Sequence, residues 1–234
     1  MSTKDNEKMT TNRGDEPGFS LVDRVVVTTR ERILSGEYEP GARLRLQQLA
    51  EESGVSLIPA REALRILEAE RLVVTVPNKG ARVADLSIED MRDLYETRIL
   101  LEAAALHSAR PLSRKDADGL RQTLADMKVA HIADDQDTML QLHRQFHFRL
   151  YAQTPSPWLS YLIEILWNHT ERYQRLSIPF RHDGADAEHR RMLRALEKRD
   201  NEGAARAIQV HLESTARLVE DGYRADGELR TVEA

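Results

Sequence analysis

Cysteine is absent from the 234 residues, so neither a disulfide scaffold nor a thiolate-ligated metal centre is open to this chain. No apolar run approaches the roughly 20 residues that span a bilayer. The polar start MSTKDNEKMTTNRGDEPG does not read as a signal peptide. Eleven glycines and eight prolines are too few for a collagen-like or low-complexity chain. Positive charge is not in excess either, and a net charge of −5 excludes a blanket cationic coat for nucleic acid. What is present, 41% hydrophobic and 31% charged residues, is an ordinary globular composition for one large domain or two small ones. The expectation is a soluble, cytoplasmic protein without a membrane partner.

Charge and histidine are unevenly distributed. Residues 21–85 carry ten basic and ten acidic side chains, whereas residues 86–234 carry 21 and 25 and hold all eight histidines. Two segments of different chemistry are therefore expected. The first 18 residues are polar and unpatterned and read as a disordered arm. The boundaries that follow are 19–85 and 86–226, with a frayed tail at 227–234.

The first segment alternates short helices with a β-rich end. Apolar Leu21, Val22, Val25, Val26, Ile33 and Leu34 recur at helical spacing after a capping Ser20, and Gly36 follows the last turn. A short helix is predicted near 46–53, ending at Gly54. Ser56 is expected to cap a third, about 57–71, with Ala60, Ala63, Leu64 and Leu67 facing inward. The runs 72–76 and 81–85 around Pro77-Asn78-Lys79-Gly80 predict a small hairpin. Three helices and a hairpin in about 65 residues describe a winged helix-turn-helix. From Asp85 onward every pattern is helical. Ser87-x-x-Asp90 and Ser113-x-x-Asp116 start helices near 88–109 and 114–131, and Asp137 starts a third. Others are predicted at 158–177, 185–198 and 201–225, giving a mainly α chain that ends in a six-helix antiparallel bundle.

The third helix of the winged segment leaves Leu57, Ile58, Arg61, Glu62 and Arg65 outward. In a helix-turn-helix that face enters the major groove, where Arg61 and Arg65 contact guanine edges or phosphates. The competing reading is a solvated face whose arginines pair with Glu62 or Glu68. Residues 41–83, GARLRLQQLAEESGVSLIPAREALRILEAERLVVTVPNKGARV, resemble the DNA-binding domain of the GntR family of bacterial transcription regulators, with its PxREAL core and PxxGxxV wing. The bundle resembles the family's FCD (FadR C-terminal domain) ligand-sensing domain, in the VanR-like branch that has six helices rather than seven.

The resemblance implies base or backbone contacts at Gln47, Ser56, Arg61, Asn78 and Lys79. The family's polar pair after the capping serine is replaced here by Leu57-Ile58, which offers thymine methyl groups an apolar contact instead of a hydrogen bond.

LHRQFHFRLY, residues 142–151, sets His143 and His147 one helical turn apart, a spacing at which two imidazoles reach one ion. Alone, such a pair is more often incidental. The resemblance adds His189 and His211 and implies a divalent transition metal, zinc by preference, with nickel, copper or cobalt as alternatives. The family carries Asp or Asn where this chain has His143. Arg98 and Glu102 match the family's R-x-x-x-E. They read as an intrahelical ion pair, or, with Arg98 turned inward, as an anion receptor. His107, His131, His169 and His182 match no ligand position. Trp158, Trp167 and Tyr173 read as core or rim.

The leading expectation is a dimeric regulator that binds a palindromic double-stranded operator and responds to a small carboxylate. It is not an enzyme. The alternatives are a metal-dependent hydrolase on a histidine-rich bundle and a DNA-binding homodimer without metal. No H-E-x-x-H occurs, and no carboxylate in these motifs is placed as a general base.

Overall fold

The computed structural model describes residues 20–77, 79–177 and 184–232, with the backbone alone at 175–177, 184–185 and 225–232. The arm, Asn78 and His182 lie outside the described residues. The chain divides into two units, 1–85 and 86–234. No helix among the described residues is long and apolar enough to cross a membrane.

In the first unit, α1 (Leu21–Leu34) starts from a complete capping box. The Ser20 hydroxyl accepts from the Asp23 amide and the Asp23 carboxylate accepts from the Ser20 amide. After β1 (Arg43–Leu44) come α2 (Leu46–Glu52) and α3 (Leu57–Ala69), then β2 (Val73–Val76) and β3 (Gly80–Val83). Between α2 and α3 the chain turns at Gly54, where φ is +64°. The Gly54 and Val55 amides donate to the carbonyls of Glu51 and Ala50, a Schellman closure that favours glycine at its left-handed position.

Two expectations change here. The predicted hairpin is a three-stranded antiparallel sheet in the order β1-β3-β2, with Leu44 opposite Ala81. A two-residue strand is too short to show an alternating pattern, so only its pairing reveals it. Ser56 stands at the N-cap of α3 with extended backbone, but its side chain makes no capping hydrogen bond. The cause is Pro59, the third helical residue, which lacks the N–H that a capping hydroxyl engages there. The inward face of α3 is as patterned: Ala60, Ala63, Leu64 and Leu67 are buried, and the last three join Val25, Val26, Ile33, Leu49, Val73 and Val83 in one core.

The second unit is a bundle of α4 (Ile88–His107), α5 (Arg114–Ile132), α6 (Gln136–Tyr151), α7 (Pro157–Ser177), α8 (Gly184–Glu197) and α9 (Asn201–Val232). Ser87 and Ser113 cap α4 and α5 by accepting from the Asp90 and Asp116 amides. The start of α6 is set by Asp135, which accepts from the Thr138 amide, and not by Asp137. By its backbone α9 runs to Val232, past the predicted end at 225 and into the segment expected to fray. No proline interrupts it, and each added residue of an existing helix gains a hydrogen bond. Met91, Leu106, Leu120, Phe146, Trp167 and Ile208 form the centre of the bundle core.

Leu67 has no exposed surface and joins α3 to the sheet. Leu67→Ala should destabilise the first unit by about 2–5 kcal/mol, the usual cost of emptying such a site. Urea unfolding of the full-length variant, followed by circular dichroism, checks this: part of the transition moves to lower denaturant, and an unshifted transition overturns it.

Candidate functional site

On α6, residues 143, 147 and 151 are spaced four apart and share one face, which α6 turns into the bundle. His143 and His147 thereby meet His189 from α8 and His211 from α9, and all four are buried. The His147 Nε2 atom lies 3.1 Å from both the His143 and the His189 Nε2 atoms. The rings of His147 and His211 stack with centroids 5.1 Å apart. One ligand atom from each of the four falls within a 4.8 Å span.

This donor set fits a metal ion. Tetrahedral Zn–N bonds of about 2.0–2.1 Å put ligand nitrogens about 3.3 Å apart, close to the two 3.1 Å separations around His147. Neutral nitrogen donors without carboxylate suit zinc, nickel, copper or cobalt better than magnesium or calcium. Tightly grouped lone pairs repel one another unless a proton or a cation sits between them.

Around the imidazoles lies a second ring of polar groups. Glu188, the residue before His189, places a carboxylate oxygen 2.9 Å from the His211 Nδ1 atom. The Tyr151 hydroxyl is 3.0 Å from His147 Nδ1 and donates to Glu102. Glu102 also accepts from Arg98 Nε at 2.7 Å. Arg98 and Glu102 are 1% and 0% exposed. Burial and the adjacent Glu102 charge push the Tyr151 phenol well above its usual range, so it stays a neutral donor. Burial opposes the charge on Arg98, but Glu102 and the phenols of Tyr95 and Tyr151 outweigh it and hold the guanidinium protonated.

Arg98 is thus both ion-paired within its helix and turned inward. Its Cζ lies 4.7 Å from the Trp167 ring centre, which is itself 5.2 Å from the His147 ring. Arg98 Nη1 and Trp167 Nε1 are buried without a hydrogen-bond partner among the described residues. Two N–H donors left open beside a cluster of imidazoles have the chemistry to donate to an anionic group.

The remaining candidates scatter. His107 and His131 are exposed and His169 is half-buried, and none of the three joins the cluster. Trp158 is exposed, whereas Tyr173 is buried and donates to Asp90. Sequence reasoning does not reach Tyr151, Trp167 and Glu188 as parts of the site. For Tyr151 a signal exists, since it repeats the four-residue spacing of His143 and His147.

On the first unit, Leu57 (47%) and Ile58 (73%) are the exposed start of α3, followed by exposed Arg61 and Arg65. Arg65 pairs with Glu62 at 2.7 Å, as the solvated-face reading anticipates. Gln47, Ser56 and Lys79 are exposed as well. The β1–β3 pairing sets Arg43 opposite Arg82, and both line one concavity with Lys79. Like charges directly opposed on a sheet are unfavourable by themselves, and the Asp85 carboxylate, 3.2 Å from Arg82, offsets part of this charge.

Residues 21–83 match the bacterial regulatory proteins of the gntR family and residues 93–214 match the FCD domain. The HTH-type transcriptional repressor GlaR of Escherichia coli (strain K12) is 31% identical over 193 residues, covering 77% of this chain and 87% of GlaR. The uncharacterized HTH-type transcriptional regulator BphR of Paraburkholderia xenovorans (strain LB400) is 29% identical, covering 86% and 85%. Among solved structures, E. coli McbR/YncC superposes with a TM-score of 0.74 at 24% identity over 87% of this chain and 99% of that one, a likeness of fold. These families are transcription regulators and not enzymes, which removes the hydrolase alternative. Winged helix and histidine-bearing bundle together place the chain in the GntR family of DNA-binding transcription regulators, with a C-terminal FCD domain.

Proposed function

We propose that this regulator binds a palindromic operator as a homodimer in the cytoplasm, and that a small organic acid held at a metal site in the bundle sets its operator affinity. One observation carries the reading. Four buried imidazoles converge on a single point beside a buried guanidinium N–H that has no protein partner among the described residues.

The metal ligands are His143, His147, His189 and His211, with zinc as the preferred ion. His143 supplies a neutral nitrogen where the family has Asp or Asn, so the site holds its ion without a carboxylate of its own. That leaves more of the ion's charge to attract an anion. The effector is a carboxylate, one oxygen drawn to the metal and another accepting from Arg98 Nη1. It acts by favouring one arrangement of the dimer's winged helices over another, since a ligand shifts an equilibrium only by its differential affinity.

On DNA, residues 19–85 supply the reading unit. Arg61 and Arg65 address base edges or phosphates, and Leu57 and Ile58 meet thymine methyls. Gln47, Ser56, Asn78 and Lys79 complete the contact, with Arg43 and Arg82 adding phosphate contacts at the wing. A neutral reading unit has little non-specific attraction to the duplex, so its affinity depends on these local contacts.

Arg61→Ala should weaken operator binding by about 1–3 kcal/mol if its guanidinium reads a base. Fluorescence anisotropy against the operator at fixed salt measures it, and unchanged affinity removes Arg61 from the reading face. Elemental analysis of zinc-loaded protein should find one ion per chain, and His147→Ala should abolish it. In the same preparations, chelation should abolish the response of operator affinity to a responsive acid while leaving DNA binding itself intact. An equal response with and without metal separates effector from ion.

A further inference from the structure

The hydrogen-bond chain from α4 to α6 has a direction, and that direction can be derived. Glu102 accepts from Arg98 Nε at 2.7 Å, and the paired charge identifies it as a carboxylate, which has no proton to give. Its other oxygen contacts the Tyr151 hydroxyl, so the single proton of that phenol points at Glu102. The phenol oxygen then has only lone pairs to offer to His147 Nδ1, 3.0 Å away. A lone pair on Nδ1 would repel it. The proton of a neutral His147 ring therefore sits on Nδ1, and the lone pair is on Nε2. That Nε2 atom lies 3.1 Å from the nitrogens of both His143 and His189, at the centre of the cluster.

We propose that Arg98, Glu102 and Tyr151 form a positioning relay that locks His147 in the tautomer able to ligate a metal. Tyr151 and Glu102 are its working members, and Arg98 fixes Glu102 in place through the 2.7 Å ion pair. This rests on the metal reading given above and extends it to residues that touch no ion. The relay also crosses between helices: Arg98 and Glu102 belong to α4, and Tyr151 and His147 to α6. The side chain whose Nη1 faces an incoming anion thus anchors, through its Nε, the proton that orients a metal ligand. Anion and metal are coupled through one guanidinium, and such coupling is reciprocal. Partners of this kind around a ligating histidine commonly contribute 10- to 100-fold in metal affinity.

The test uses full-length protein with zinc alone as the probe. Long-range proton–nitrogen correlation spectra of the metal-stripped wild type should show His147 protonated on Nδ1. Tyr151→Phe removes only the hydroxyl. It should lower zinc affinity by about 10- to 100-fold in competition with a chromophoric chelator and return His147 to a mixture of tautomers. Tyr173→Phe deletes a different buried phenol hydroxyl in the same bundle and should leave both readouts unchanged.

Wild-type zinc affinity in Tyr151→Phe overturns the relay, as does an equal loss in the Tyr173→Phe control. A wild-type spectrum with the His147 proton on Nε2 overturns it without recourse to any variant, and decides the matter if Tyr151→Phe does not fold. Failure of the wild type to take up zinc refutes the metal reading instead, and leaves the relay to be judged by the wild-type spectrum.

Discussion

A guanidinium enclosed almost completely by protein is the constraint on which the bundle's chemistry depends. Arg98 cannot shed its proton, and burial strips it of the water that would otherwise stabilise the charge. It needs a carboxylate at hand, and Glu102, one turn along the same helix, is that group. An isolated pair of this sort is no argument for stability, because desolvation offsets much of the attraction. What it provides is order. A carboxylate held by Arg98 on one oxygen must find a donor for the other, and Tyr151 is that donor. The hydroxyl in turn decides which nitrogen of His147 carries hydrogen. One buried charge thereby sets the state of a group on another helix.

The same pair leaves a remainder. Arg98 has five N–H groups in a planar fork, and Glu102 engages the Nε edge. The Nη1 atom stays buried and open, beside a Trp167 N–H in the same condition. Natural interiors seldom leave such groups unmatched. The open donors and the imidazole cluster distinguish this interior from a merely well-packed core.

The winged unit follows a different logic. Its core is conventional, with small Ala60 and Ala63 on α3 beneath a short sheet. At the start of α3 stand Leu57 and Ile58, two apolar side chains that are 47% and 73% exposed. Pro59 removes one of the amide donors at that end of the helix, and Ser56 is left uncommitted by any capping bond.

Much of this architecture is legible in the sequence alone. Helical periodicity, the serine and aspartate caps and the Pro-Asn-Lys-Gly turn locate the helices to within a few residues, the far end of α9 excepted, because these signals are local and the elements obey local rules. The histidines at 143 and 147 announce a shared face through their spacing, and the resemblance to a known family joins His189 and His211 to them. Tertiary structure decides what depends on contacts between distant segments. Strand β1 exists only because residues 43–44 meet 81–82. Ser56 fails as a cap through a proline three residues on, a local fact whose consequence emerges only in the geometry. Glu188, Trp167 and Tyr151 enter the site because folding brings α4, α6, α7, α8 and α9 to one point. A sequence pattern records which face a side chain occupies on its own helix. Which lone pair it offers there is set by a chain of hydrogen bonds, one of which joins residues 49 positions apart, and only the packed fold makes them.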